Sequence, residues 1–215
     1  MTEDDPASLA PRQRDAERTQ KAILAAAVQE FAAHGLSGAR VERIADRAGV
    51  AKRLIFYYFD NKENLFRAAL HETYSSIREA EKLLRLHDLS PIDGIRRLVE
   101  FTWAYYLEHP EFLTLLNSEN LHRARHISES PDIQEVNFPL IQTLGDILER
   151  GRRDGVFRGG VDPVQLYISI AGLAYFYLSN NATLSVVFAR DLMATKALNE
   201  RLSHIIEVIL GYVVR

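Results

Sequence analysis

Cysteine is absent from the sequence. That excludes disulfides, thiolate metal sites and thiol nucleophiles, and it agrees with a reducing compartment. Long apolar runs are absent as well. The longest stretch, within residues 166–178, is shorter than the roughly 18–20 residues a membrane-spanning helix needs. The opening residues, MTEDDPASLAPRQR, have no apolar signal-peptide core, so a cytoplasmic location without membrane contact is expected. Strand-like alternation never persists beyond about four or five residues, and no internal repeat occurs. There is no phosphate loop, no glycine-rich dinucleotide turn and no nucleophile–base–orienter set, so no enzyme class is indicated and no cofactor is expected.

Excess positive charge is also missing, since the net charge is −3. Its distribution is uneven. Residues 12–67 hold 11 Lys/Arg against 7 Asp/Glu, while residues 68–215 hold 15 against 19 and residues 1–11 only three acids. A basic segment beside an acidic remainder suggests that only the first part meets a polyanion. With 47% hydrophobic residues, the 215-residue chain has ample material for a buried core.

Residues 1–11 are acidic and aperiodic, and a disordered tail is expected there. Apolar periodicity then predicts helices with short breaks. Ile23, Leu24, Ala27, Val28 and Phe31 stripe a helix over 15–34, stopped at Gly35. Short helices over 41–48 and 51–58 flank Gly49, and Asn61 is a candidate cap for a fourth. Ser90-Pro91 and Asp162-Pro163 read as cap plus first helical residue. The remaining predicted helices cover about 91–108, 111–125, 133–150, 163–180 and 193–214, with a glycine-rich hairpin over 151–160. The expected fold is all-α, with about nine helices.

Two short helices around a glycine turn acquire meaning from their flanks. Ala45 and Ala48 are small where the helices must approach, and Gly49 permits positive φ. Val50 and Ile55 then point inward, leaving Lys52, Arg53, Leu54, Tyr57 and Tyr58 outward. Cations can donate to guanine edges or phosphates, Leu54 can touch a thymine methyl, and phenols can donate to phosphate oxygens. Arg40, Glu42 and Lys62 flank this set, Lys62 and Arg40 as phosphate contacts. Phe56 and Phe59 read as core aromatics.

Residues 35–66, GLSGARVERIADRAGVAKRLIFYYFDNKENLF, resemble the DNA-binding domain of the tetracycline-repressor family of transcription regulators. Gly35, Val41, Ile44, Ala45, Ala48, Gly49, Val50, Tyr58, Phe59, Lys62, Glu63, Leu65 and Phe66 carry the match. Three positions depart from the pattern: Ala39-Arg40 stands where a hydroxyl residue is usual, Ala51 where Ser often begins the reading helix, and Arg53-Leu54 where Gly and a small polar residue are common. The departures leave the operator sequence open.

The resemblance implies a helix-turn-helix domain over 12–66, its motif over 40–59, joined through the fourth helix to an effector-binding and dimerisation domain over 67–215. It implies a sequence-specific regulator, a repressor released from a palindromic double-stranded operator by a small-molecule effector. The helix over 163–180 is apolar on nearly all sides, which requires burial all round and therefore a partner. With the last helix it is expected to form a homodimer interface through Leu166, Ile170, Leu173, Tyr177, Ile205 and Ile209. Trp103, Tyr106, Asn117, Asn120, Arg123, His126 and Tyr175 are candidate effector contacts, being polar groups among apolar walls. The segment 117–126 resembles one in regulators of aromatic-acid catabolism, which implies an aromatic or carboxylate-bearing effector, with Asn120 and Arg123 holding a carboxylate or carbonyl. Two other readings stay open here. One is control by a protein partner. The other is a helical metal-dependent enzyme using Glu119, His122 and His126, whose i,i+4 histidines share a helix face but lack a completing ligand, so no metal site is assigned.

Overall fold

The structure, a computed structural model, describes residues 11–128 and 132–215. The expected tail therefore lies outside the described residues except for Pro11. Among the described residues there are eleven helices and no strand. They are α1 (Pro11–Gly38), α2 (Val41–Ala48), α3 (Lys52–Phe59), α4 (Lys62–Lys82), α5 (Pro91–Glu108), α6 (Pro110–Leu121), α7 (Arg125–Ser128), α8 (Asp132–Arg153), α9 (Pro163–Ser179), α10 (Asn181–Val187) and α11 (Thr195–Val213). A 3-10 turn, Leu86–Asp88, precedes α5. The all-α class is as expected. The two additional helices are the short α7 and α10, too brief to carry a readable period. None of the described helices is long and apolar enough to cross a membrane.

The chain forms two compact units. One comprises residues up to Thr73 with Leu115–Ser130, the other Tyr74–Thr114 with Pro131–Arg215. Thus α4 and α6 each contribute residues to both.

In the first unit, Ile23, Ala27 and Phe31 of α1 share a core with Ile44 and Ala45 of α2, Ile55 of α3, and Leu65, Phe66 and Leu70 of α4. Leu115 of α6 belongs to the same core, and Ile127 of α7 packs against it. The α1 helix breaks at Gly35, whose φ is 64°. Gly49 ends α2 in the left-handed conformation (φ 66°), its N–H donating to the Ala45 and Asp46 carbonyls while Val50 N–H reaches Ala45 O at 3.0 Å. A residue with Cβ would be strained there, which is why the tight turn into α3 needs glycine.

In the second unit α5 packs against α8, α9 and α11. Its Ile95, Leu98, Val99 and Trp103 are buried together with Leu144, Ile147, Leu166, Ile170, Ile205 and Ile209. The expected caps are present: Ser90 Oγ accepts from Asp93 N, Asp162 Oδ1 from Gln165 N and Asn61 Oδ1 from Asn64 N. The segment expected as a glycine-rich hairpin instead returns Phe157 over Gly151 and pairs it with Val214 in one antiparallel bridge. A Cβ on Gly151 would fall 2.1 Å from the Phe157 ring, so the close approach demands glycine.

The helix expected over 111–125 stops at Leu121. Arg123 and Ala124 take φ of 56° and 58°, which no α-helix continues, and α7 restarts at Arg125.

Candidate nucleic-acid interface

The reading surface is built from the inside out. Glu30 lies on the buried stripe of α1, fully enclosed. A carboxylate cannot remain there unpaired. Its Oε1 accepts from the backbone N–H of Arg40 at 3.0 Å and from Arg43 Nε at 2.7 Å, and Arg43 Nη2 also donates to the Gly38 carbonyl. Burial pushes this carboxyl up, but the Arg40 N–H and the Arg43 guanidinium outweigh it and hold it below the usual value. Glu30 thereby fixes the entry to α2 against α1. Arg40 precedes α2 with its side chain exposed, near enough to attract the Glu42 carboxylate. Sequence reading missed Glu30. Its signal was a carboxylate seven residues after Ile23, on a core phase of the helix.

On α3 only Ile55 is fully buried. Lys52, Arg53 and Tyr57 are exposed, and Leu54 and Tyr58 are half-buried. The two tyrosine rings lie edge to face, 5.0 Å apart. Phe56, expected in the core, is 42% exposed, with the Lys52 ammonium 5.6 Å above its ring. The reason is phase: Ile55 takes the inward position, and its neighbour rotates out by about 100°. Lys52 Nζ also meets Glu42 Oε1, tying α2 to α3 across the surface and holding the Glu42 carboxyl below its ordinary value.

Lys62 begins α4 half-buried, its ammonium donating to Ala39 O at 3.5 Å. Between α3 and α4, Asp60 adopts φ 64°, ψ −54°, and Asn61 N–H bonds Phe59 O at 2.7 Å. This is the strained form of the three-residue turn, in a non-glycine residue.

The seven candidate effector residues do not share one unit. Asn117, Asn120, Arg123 and His126 belong to the first, Trp103, Tyr106 and Tyr175 to the second. Asn120 and Arg123 are exposed. His126 is buried against Phe66, its Nδ1 2.7 Å from Glu119 Oε2. Glu119 also accepts the His126 and Ile127 backbone N–H groups, which makes the pair a cap for α7. His122 turns to the Ser118 carbonyl. No cluster of three metal-ligating side chains occurs among the described residues. Trp103 and Tyr106 are buried, Tyr106 stacked on Phe112.

The expected dimer contacts need correction. Leu166, Ile170, Ile205 and Ile209 are at most 1% exposed within a single chain, so they are spent on its own core, Ile209 reaching only the floor of a groove. Leu173 and Tyr177 are half-buried, and the Tyr177 hydroxyl donates to Leu192 O of its own chain. The helices α9 and α11 do carry an exposed apolar face, opposite the buried stripe on α9 and beside it on α11: Ile168, Phe176, Val208 and Tyr212, exposed by 55%, 59%, 41% and 45%. Ile168, Leu173, Val208 and Tyr212 line one groove.

Residues 23–69 match the family described as bacterial regulatory proteins, tetR family, and residues 91–209 match the tetracyclin repressor-like C-terminal domain. The HTH-type transcriptional repressor NicS of Pseudomonas putida is 40% identical over 93% of this chain and 94% of its own length. The HTH-type transcriptional repressor SCO4008 of Streptomyces coelicolor is 35% identical over 64% of this chain and 69% of its own. In fold, the chain resembles a TetR family transcription regulator from Marinobacter aquaeolei (TM-score 0.70, 22% identity, 94% of this chain and 98% of that one).

Proposed function

Because the chain belongs to the tetracycline-repressor family of DNA-binding transcription regulators, we propose that it acts as a homodimeric repressor released from a palindromic operator by a small-molecule effector. It is a regulator and not an enzyme. The observation that carries the DNA role is the outward face of α3, where Lys52, Arg53 and Tyr57 project after the left-handed turn at Gly49, while Glu30 holds the entry to α2. Lys52, Arg53 and Leu54 read base edges. Arg40, Tyr57, Tyr58 and Lys62 contact phosphates, Lys62 once its hold on Ala39 is shared or released.

The dimer forms through the exposed face of α9 and α11, with Ile168, Phe176, Val208 and Tyr212 meeting the same residues of a second copy. Two readers about 34 Å apart then match half-sites one DNA turn apart. An effector acts by its differential affinity for the two spacings of the readers. Continuity of α4 and α6 through both units supports such coupling.

The experiment is selection of bound fragments from a random duplex pool, followed by release with a compound panel. A palindromic consensus bound by two chains, and released by at least one compound, is expected. Enrichment of no sequence, or binding by one chain to a single half-site, would overturn the reading.

A further inference from the structure

A cavity of about 290 Å³ lies within the second unit. It sits at the low end of the about 300–1,000 Å³ typical of small-molecule sites. Leu86, Pro139 and Leu140 give it an apolar wall. Three cations, Arg78, Lys82 and Arg85, line it against a single carboxylate, Glu81. Lys82 and Arg85 are exposed at the rim, where they pair with Glu79 and Asp88. Arg78 and Glu81 are buried, 4% and 5% exposed.

The buried pair is incompletely satisfied. Arg78 Nη1 donates to Glu81 Oε2, and Nη2 donates to the Tyr167 hydroxyl. Arg78 Nε and Glu81 Oε1, both without solvent contact, have no hydrogen-bond partner among the described residues. A buried ion pair contributes little net stability even when every hydrogen bond is made, and apolar residues of the same size often do better. A pair short of two bonds, closing a cavity of net positive lining, is therefore poorly explained as a packing device.

We propose that this cavity is an anion-exchange site, in which the carboxylate of a small organic acid replaces Glu81 on the Arg78 guanidinium while Glu81 takes up one proton from solvent. The charge then balances: Arg78 keeps one anionic partner, and Glu81 stays buried as a neutral acid that can donate to the incoming carboxylate. The apolar wall receives the acid's hydrocarbon body. The identification of this acid as the effector rests on the repressor reading above; the binding site itself does not.

The surroundings make Glu81 the group that titrates. Burial pushes its carboxyl up to about 7, and Arg78 only partly opposes this. The phenols facing it, Tyr105 and Tyr106 from α5 and Tyr167 from α9, are all raised by burial and remain neutral at physiological pH. Burial pulls the Arg78 guanidinium down, but Tyr167 and Glu81 outweigh it and hold it above its ordinary value, so it stays cationic. His87 at the rim pairs with Asp88, and its carbonyl accepts from Arg150 Nη1.

The test is calorimetry on the full-length protein without DNA, using benzoate and butyrate as probes and benzamide and butyramide as uncharged counterparts. At least one carboxylate should bind saturably, and its amide at least about ten-fold more weakly. Above pH 7 binding should take up about one proton, read from buffers of different ionisation heat, and affinity should fall towards about ten-fold per pH unit. Glu81→Gln should abolish both the proton uptake and the pH dependence, while His87→Asn should leave them. No saturable carboxylate binding, equal binding of the amides, or pH dependence that survives Glu81→Gln would overturn the site. Operator release is measured separately with the same acids. Binding without release refutes only the effector role. Release by an unrelated compound, unchanged in Glu81→Gln, leaves the repressor reading standing without this site as its switch.

Discussion

Lys52 Nζ lies 2.5 Å from a carboxylate oxygen of Glu42. The helices α2 and α3 are thus bridged by an ion pair on the face proposed to meet DNA. Before Lys52 can meet a base or a phosphate it must leave Glu42, whose charge also repels the DNA. The isosteric change Glu42→Gln frees the lysine and removes the repulsion. Operator affinity is expected to rise by about three- to ten-fold, with the slope of log K against log salt steeper by about one. Unchanged or weaker binding in a salt titration would show that Glu42 contributes a favourable contact of its own.

Glu30 makes a different prediction. Its carboxyl is held below the ordinary 4.5 in the folded chain. Its stabilisation is therefore complete above about pH 4.5 and is lost as pH falls through the lower folded value. Glu30→Gln should destabilise the protein by about 1–3 kcal/mol at pH 7. The difference from the parent should shrink as the pH of the urea melts is lowered below 4.5. A constant difference would mean that shape, not charge, fixes the corner between α1 and α2.

Asp60 stores strain between the reader and α4, with φ 64° and ψ −54°. Glycine accepts this backbone without a Cβ clash but loses more freedom on folding. The balance for Asp60→Gly is a gain of up to about 1 kcal/mol. A lower urea midpoint would show that the Asp60 carboxylate, 3.0 Å from Asn61 Nδ2, matters more than the backbone.

The exposed face of α9 and α11 separates two kinds of substitution. Ile168→Glu should leave the fold intact, shift sedimentation to the monomer and weaken operator binding by at least about ten-fold. Ile170→Ala, two residues away and fully buried, should instead cost about 2–5 kcal/mol of stability. A dimer that survives Ile168→Glu with unchanged affinity would place the interface elsewhere.

The contrast between Ile168 and Ile170 also marks where sequence reading stops. The helix over 163–179 was legible from its composition and its Asp162-Pro163 start. Its faces were not, because a helix apolar on nearly every side has no phase to read. The helix-turn-helix was legible in detail because few residues suit its backbone: Gly49 at the turn, Ala45 and Ala48 beside it, Asn61 as a cap. Phe56 was misplaced because an aromatic next to Ile55 looks the same whether it packs inward or lies under a lysine. Arg78 and Glu81 gave no signal at all. At i,i+3 on a long helix they read as an ordinary surface pair, and it is the packing of other helices around them that buries them. The four polar effector candidates between 117 and 126 share a stretch of sequence, but a turn through Arg123 and Ala124 leaves Asn117 and Asn120 on α6 and His126 on α7.

The hold of Glu30 on the Arg40 backbone and on Arg43 has one more consequence. The reader's aim is set from beneath, by groups that never meet a base. Arg53 and Tyr57 lie exposed on α3 and contribute little to the core, whereas Lys52 also ties α3 to Glu42 of α2. If these side chains read the operator as proposed, a change of Arg53 alters which DNA is bound at little cost to the fold.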